Sequence, residues 1–209
     1  MPMILALLLC TPLMAQDAKS LLNEVSAKIR SYDNIVIDFK WTLNNTKENV
    51  QQDTRGDVSL QGEKYLLNML GTTRIFDGTN IYTIVPEDEE VTISAYSEQD
   101  DKEITPSKLL TFYEKGYTHE MDIVQTVKGR KIQYVKLTPI DYNAEIKDIL
   151  LGIDLRTKHI YKLIQTDDAG TQYTLTVSAF KTNQPLSKTL FTFDEQKYED
   201  GGYYINRLD

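Results

Sequence analysis

TTRIFDGTNIYTIVPEDEEVTI, residues 72–93, reads as three consecutive β-strands that carry almost no reactive side chains. Arg74-Ile75-Phe76 runs into Asp77-Gly78, a pair suited to a turn with positive φ, and residues 81–85 return as the partner strand. Pro86 cannot donate a ladder hydrogen bond and ends that strand. The acids 87–90 then form a solvated turn before Val91-Thr92-Ile93. Whatever this stretch does, it does through the surface of a sheet rather than through a nucleophile.

Working outward, the pattern persists. Residues 17–32 place Ala18, Leu21, Leu22, Val25, Ile29 and Tyr32 at helical spacing, an amphipathic helix with Asp17 as its expected N-cap. From Ile35 the period switches to two: Ile35, Ile37, Phe39, Trp41 and Leu43 alternate with more polar neighbours. Further strands are expected at 54–60 and 65–70. After residues 105–116, which form a short helix with Thr105 as cap, Pro106 in its first turn and Gly116 as terminator, they follow at 121–128, 131–138, 148–154, 159–167, 171–181 and 190–194. There is no βαβ alternation, so the sheet is expected to be antiparallel. A sheet of that size curls and needs apolar cover on its concave face, which the two helices can supply. The fold class is thus mainly β, a strongly curved antiparallel half-barrel with a small helical lid.

Residues 1–16 (MPMILALLLCTPLMAQ) have the layout of a cleaved secretory signal, an apolar run followed by small residues, but they lack a positive amino-terminal region; the competing reading is a buried helix. The run is shorter than the about 20 residues that a permanent span requires. On the signal reading, residues 17–209 form one domain without Cys10, the single cysteine, and so without disulfide, thiol nucleophile or cysteine-bound metal. Such a chain suits a bacterial periplasm. The net charge of −8 argues against a nucleic-acid partner, which would call for a basic stripe.

No catalytic motif stands out. His119 and His159 read as surface imidazoles beside turns. The acid clusters 87–90, Asp100-Asp101-Glu103 and Asp167-Asp168 fall in turns and lack both the spacing of a calcium loop and a histidine partner for zinc. No metal, cofactor or catalytic residue is expected. The aromatic content, 13 tyrosines, 6 phenylalanines and Trp41, is more telling, because several strands are apolar on both parities. One explanation is a filled core plus an outer face patched with tyrosine. The other is a concave face kept apolar to hold acyl chains, at about 0.8 kcal/mol per buried methylene.

Asp77-Gly78, Tyr82, Pro86 and Glu90-Val91-Thr92 are spaced as in the LolA family of periplasmic lipoprotein carriers, which the chain resembles over its whole length after the leader. Gly56-Asp57, Thr105-Pro106 and Phe191-Thr192-Phe193 agree in order. The resemblance implies a non-catalytic, monomeric periplasmic carrier. It would take acylated lipoproteins from an inner-membrane ABC transporter release complex and hand them to an outer-membrane acceptor. It also implies an acyl-binding surface of Phe39, Trp41, Val58, Leu60, Leu67, Met69 and Ile81, closed by Leu109, Leu110 and Phe112 on the lid. The alternative on the same fold is a lipid- or lipoprotein-sensing regulatory module. The chain departs from the family in three places: Gly62-Glu63 stands where relatives have the Arg-Pro pair thought to latch the lid, Trp41 replaces a glutamine, and Tyr82 a tryptophan. The arginine latch is therefore not carried over.

Overall fold

The computed structural model describes residues 13–96 and 105–208, with side chains from residue 17 onward. Cys10, most of the expected signal segment and the Asp100-Asp101-Glu103 cluster lie outside the described residues. Helix α1 (Leu13–Arg30) is followed by β1 (Ile35–Asn45), β2 (Val50–Gln61), β3 (Lys64–Met69), β4 (Thr72–Phe76), β5 (Asn80–Val85) and β6 (Glu90–Ala95). Two 3-10 turns, Lys108–Leu110 and Phe112–Glu114, precede β7 (Tyr117–Val127), β8 (Arg130–Pro139), β9 (Ile146–Asp154), β10 (Ile160–Asp167) and β11 (Gln172–Thr182). Helix α2 (Glu195–Asp200) and β12 (Tyr204–Leu208) complete the chain.

All the strands join one curved, unclosed sheet in the order β12-β6-β5-β4-β3-β2-β1-β11-β10-β9-β8-β7. Strand β1 is the keel. On one side it pairs with β2, from Ile35↔Leu60 to Asn45↔Val50, and on the other with β11, from Ile35↔Thr182 to Asn44↔Gln172. The chain meanders outward from β2 to β6, resumes at the opposite edge in β7, and meanders back to β11. Among the described strands, only β12 runs parallel to its neighbour, β6.

The alternation at β1 buries Ile35, Ile37 and Phe39 on the concave face, in one apolar cluster with Ala18, Leu21, Leu22, Val25 and Ile29 of α1, a helix that packs mainly against β7. Complete burial of the four larger α1 side chains contributes about 1.5–3 kcal/mol each, which is what keeps a polar-faced helix on the sheet. The expected cap Asp17 lies inside α1, because the helix begins at Leu13.

The hairpin at 77–80 forms as its sequence suggests, with an extra role for Asp77. Gly78 has φ +104°, and Asp77 Oδ1 accepts from the backbone N–H groups of Thr79 and Asn80 while Oδ2 accepts from Tyr82 Oη. Partial burial pushes the Asp77 carboxyl up, but these three hydrogen bonds outweigh it and hold the pKa below the usual value.

Two expectations are corrected. Residues 105–116 form the two separate 3-10 turns instead of one helix; Thr105 Oγ1 still accepts from the Lys108 N–H at 3.3 Å, and Gly116 takes φ +84°. Residues 190–194 are not a strand. They turn, with Leu190 N–H bonded to Ser187 O and Thr192 N–H to Thr189 O. Phe191 and Phe193 alternate like strand residues, but tertiary packing decides their geometry: Phe193 stacks on Tyr82 at 4.5 Å and on Tyr198 at 5.1 Å. With Tyr203 and Ile205 this segment covers Leu66, Ile75, Ile84, Val91 and Ile93, a second apolar cluster on the convex side of β3 to β6.

At the β7 edge the register slips between Met121 and Val124, so Asp122 and Ile123 together face one residue of β8, a β-bulge. The buried Gln133 amide donates to the carbonyls of Asp122 at 2.8 Å and Tyr134 at 2.7 Å.

One position lets Phe39 lie flat against β2. A Cβ on Gly56 would sit 2.6 Å from both Asn68 O and Phe39 Cζ. Gly56→Ala is therefore expected to destabilise the protein by about 1–3 kcal/mol through overpacking, read as a lower urea midpoint. An unchanged midpoint would mean that the Phe39 ring does not occupy this seat.

Candidate functional site

Under the lid, the concave face keeps a cavity of about 170 Å³ whose walls are almost wholly apolar. The central strands supply Ile37, Phe39, Val58, Leu60, Tyr65, Leu67 and Met69. The returning arm supplies Ile160, Leu163, Leu175, Val177 and Phe180, and the segment at the first 3-10 turn supplies Thr105, Pro106, Leu109 and Leu110. Arg74 is the one charged lining side chain among the described residues.

Seven of the ten residues expected on an acyl-binding surface, Phe39, Val58, Leu60, Leu67, Met69, Leu109 and Leu110, are brought together in this wall. The remaining three lie in the packing around it. Trp41 is one alternation farther along β1, tilted against Tyr173 at 6.3 Å; Ile81 is buried opposite Phe76; and Phe112 sits edge-on to Tyr113 and Tyr117. Sequence reading missed the wall from β10 and β11. The alternation of Leu175 and Val177 shows that they share a face, but nothing local says that β11 docks beside β1.

A cavity of about 150 Å³ accommodates one benzene. The space is therefore near the size of a single small ring, and a long acyl chain needs more room than it offers. Polar ties add to the apolar packing of α1, two joining the helix to the second 3-10 turn and two joining α1 and the residues after it to the β9–β10 turn. Ser26 Oγ on α1 donates to Tyr113 Oη at 3.0 Å, a buried pair. The Arg30 guanidinium grips both Glu114 oxygens at 2.5 and 2.7 Å, and Lys158 Nζ reaches Glu24 at 2.7 Å. Burial pushes the Tyr113 hydroxyl up to about 12, so it stays neutral.

The fourth tie corrects the view of His159 as a surface imidazole. Its ring is half-buried, stacked on Phe180 at 4.0 Å, with Nε2 2.7 Å from Tyr32 Oη just after α1. His119 is also partnered, through Nε2 to Tyr113 O at 2.8 Å. Burial, with Lys28 second, lowers the pKa of His159, while Asp154 opposes the shift. Among the described residues no three His, Cys, Asp or Glu side chains are grouped to hold a metal, and no helix is long and apolar enough to cross a membrane.

Comparison with known proteins places this geometry. Residues 30–194 match the family model of the outer membrane lipoprotein carrier protein LolA. No curated protein matches the chain in sequence. An uncharacterised conserved protein from Thermus thermophilus superposes with a TM-score of 0.57 at 10% identity, covering 92% of this chain and 100% of that one. The Mycobacterium tuberculosis lipoprotein LppX superposes with a TM-score of 0.51 at 13% identity, covering 82% and 98%. A LolA superfamily protein from Nitrosomonas europaea gives 0.46 at 14% identity, covering 85% and 98%.

Two outcomes follow from the ties on α1. Because the folded state depresses the His159 pKa, its contribution is fully present above the ordinary value near 6.5 and is lost as pH falls below it. The melting temperature should decline below that pH, and less steeply in His159→Asn; parallel profiles would remove His159 as the cause. Tyr113→Phe strips the buried Ser26 hydroxyl of its partner and should cost about 1–3 kcal/mol in chemical unfolding.

Proposed function

The chain belongs to the LolA family, and from that premise we propose that it is a non-catalytic carrier which holds acyl chains of lipoproteins in the cavity beside the first 3-10 turn. The observation that carries the reading is the cavity itself, a space whose walls are almost wholly apolar and come from both arms of the sheet. A methylene entering it gains about 0.8 kcal/mol without any reactive group, which fits a protein whose task is to take up and release.

We assign acyl contact to Phe39, Val58, Leu60, Leu67, Met69, Leu109 and Leu110, with Trp41, Ile81 and Phe112 packing behind them as the chain enters. In this reading residues 1–16 are a cleaved signal and residues 17–209 work in the periplasm as a monomer. The donor is an inner-membrane ABC transporter release complex and the acceptor lies at the outer membrane.

Native purification followed by mass spectrometry should recover an acylated molecule, and the emptied protein should bind a hydrophobic fluorescent probe. Leu67→Asn, which puts an amide in the cavity wall, should weaken probe binding more than ten-fold while leaving the circular dichroism spectrum unchanged. Undiminished binding would sink the cavity as the site. Transfer of a lipoprotein from inner-membrane vesicles to an acceptor separates a carrier from a sensor, which would retain it.

A further inference from the structure

Beside the apolar cavity lies a second, larger one, a groove of about 410 Å³ between the end of α1, the β2–β3 turn and the 3-10 turns. Its walls carry Arg30, Asp33, Asn34, Glu63, Ser107 and Thr111 beside Ile29, Tyr32 and Ile35, so it is amphipathic where its neighbour is apolar. Leu60 and Leu110 line both spaces, and each is more than nine-tenths buried. These two side chains thus separate the amphipathic groove from the apolar cavity.

We propose that the groove is the head-group site and access route of an amphiphile whose chain passes between Leu60 and Leu110 into the apolar cavity; the proposal rests on the carrier reading and deepens it. Three features support it. Gly62 at the β2–β3 turn lines the groove and is exposed, with no atom within 4 Å of where its Cβ would stand, so no side chain covers the groove at that point. Leu110 is carried by a 3-10 turn of three residues, whose few backbone hydrogen bonds make its displacement cheap compared with that of an α-helix.

The third feature is charge. The groove presents two carboxylates, Asp33 and Glu63, against one guanidinium, and Arg30 is already held by both oxygens of Glu114. Among the described residues, Glu63 accepts a long 3.5 Å contact from Ser107 Oγ. A head bearing an ammonium or hydroxyl groups fits this field, and a purely anionic head is repelled.

The test measures uptake of fluorescent single-chain lipids, zwitterionic lysophosphatidylcholine and anionic lysophosphatidylglycerol, by the full chain. Ser107→Trp and Thr111→Trp, which crowd the groove and leave the apolar wall intact, should slow association of either lipid at least ten-fold. Asp33→Asn combined with Glu63→Gln should reduce the preference for the zwitterion at least five-fold. Wild-type association rates in folded tryptophan variants would overturn the route, and an unchanged preference would overturn the head-group site. If the tryptophan variants fail to fold, the charge-neutralised pair still decides. A wild-type protein that takes up neither lipid would instead sink the carrier reading.

Discussion

The pairing of β1 with β11 is the interaction on which the rest of the molecule depends. It hydrogen-bonds residues about 140 positions apart in sequence, Asp38 opposite Ala179 for example, and it is the seam that joins the two arms of the sheet. Every wall of the apolar cavity is referred to that seam. Phe39 and Ile37 face Leu175, Val177 and Phe180 across it, and neither arm encloses a space alone. The bulge between Asp38 and Phe39 lies on the same seam, where added twist helps the sheet curl around its concave face.

Closure is a different kind of problem from construction. The sheet is held by continuous ladders, whereas its cover, α1 and the 3-10 turns, is tied internally by Ser26 to Tyr113 and Arg30 to Glu114 and to the sheet by the apolar stripe of α1 with Lys158 to Glu24 and Tyr32 to His159. The exposed ion pairs contribute little, since solvent-exposed pairs are generally worth about 0–1 kcal/mol. The stronger restraints are the buried Ser26 hydroxyl and the apolar stripe of α1. A lid attached in this way can yield while the half-barrel behind it stays intact, which is the division of labour that a reversible container needs.

Much of this was legible in the sequence because alternation is local. Strand parity put Phe39, Val58, Leu60, Leu67 and Met69 on one face, and the turn chemistry of Asp77-Gly78 placed the hairpin, including its positive φ at Gly78. Parity alone could not say how far the cavity runs along a strand, so Trp41, on the correct face, lies beyond its end. Nor could local pattern reveal long-range docking. The β10–β11 wall, the 190–194 segment that turns instead of extending, and the aromatic stack of Tyr82, Phe193 and Tyr198 are all set by partners remote in sequence. Gly62-Glu63 was recognisable as a departure from the family, but only the folded chain shows the groove beside it.

The bulge at the β7 margin bears on a hazard peculiar to open sheets. A half-barrel has two free margins, and an unpaired strand is a template for a neighbouring molecule, with fibres as the end point. β7 exposes Ile123 and Val124, at 56% and 52%, and β12 exposes Tyr204 and Leu208, so both margins carry apolar side chains open to solvent. At β7 the carbonyls of Asp122 and Ile123 turn inward to the Gln133 amide, interrupting the ladder beside the apolar side chains of Ile123 and Val124. A single buried glutamine thus works against sheet-to-sheet growth in a protein that keeps an apolar interior on one side of an open sheet.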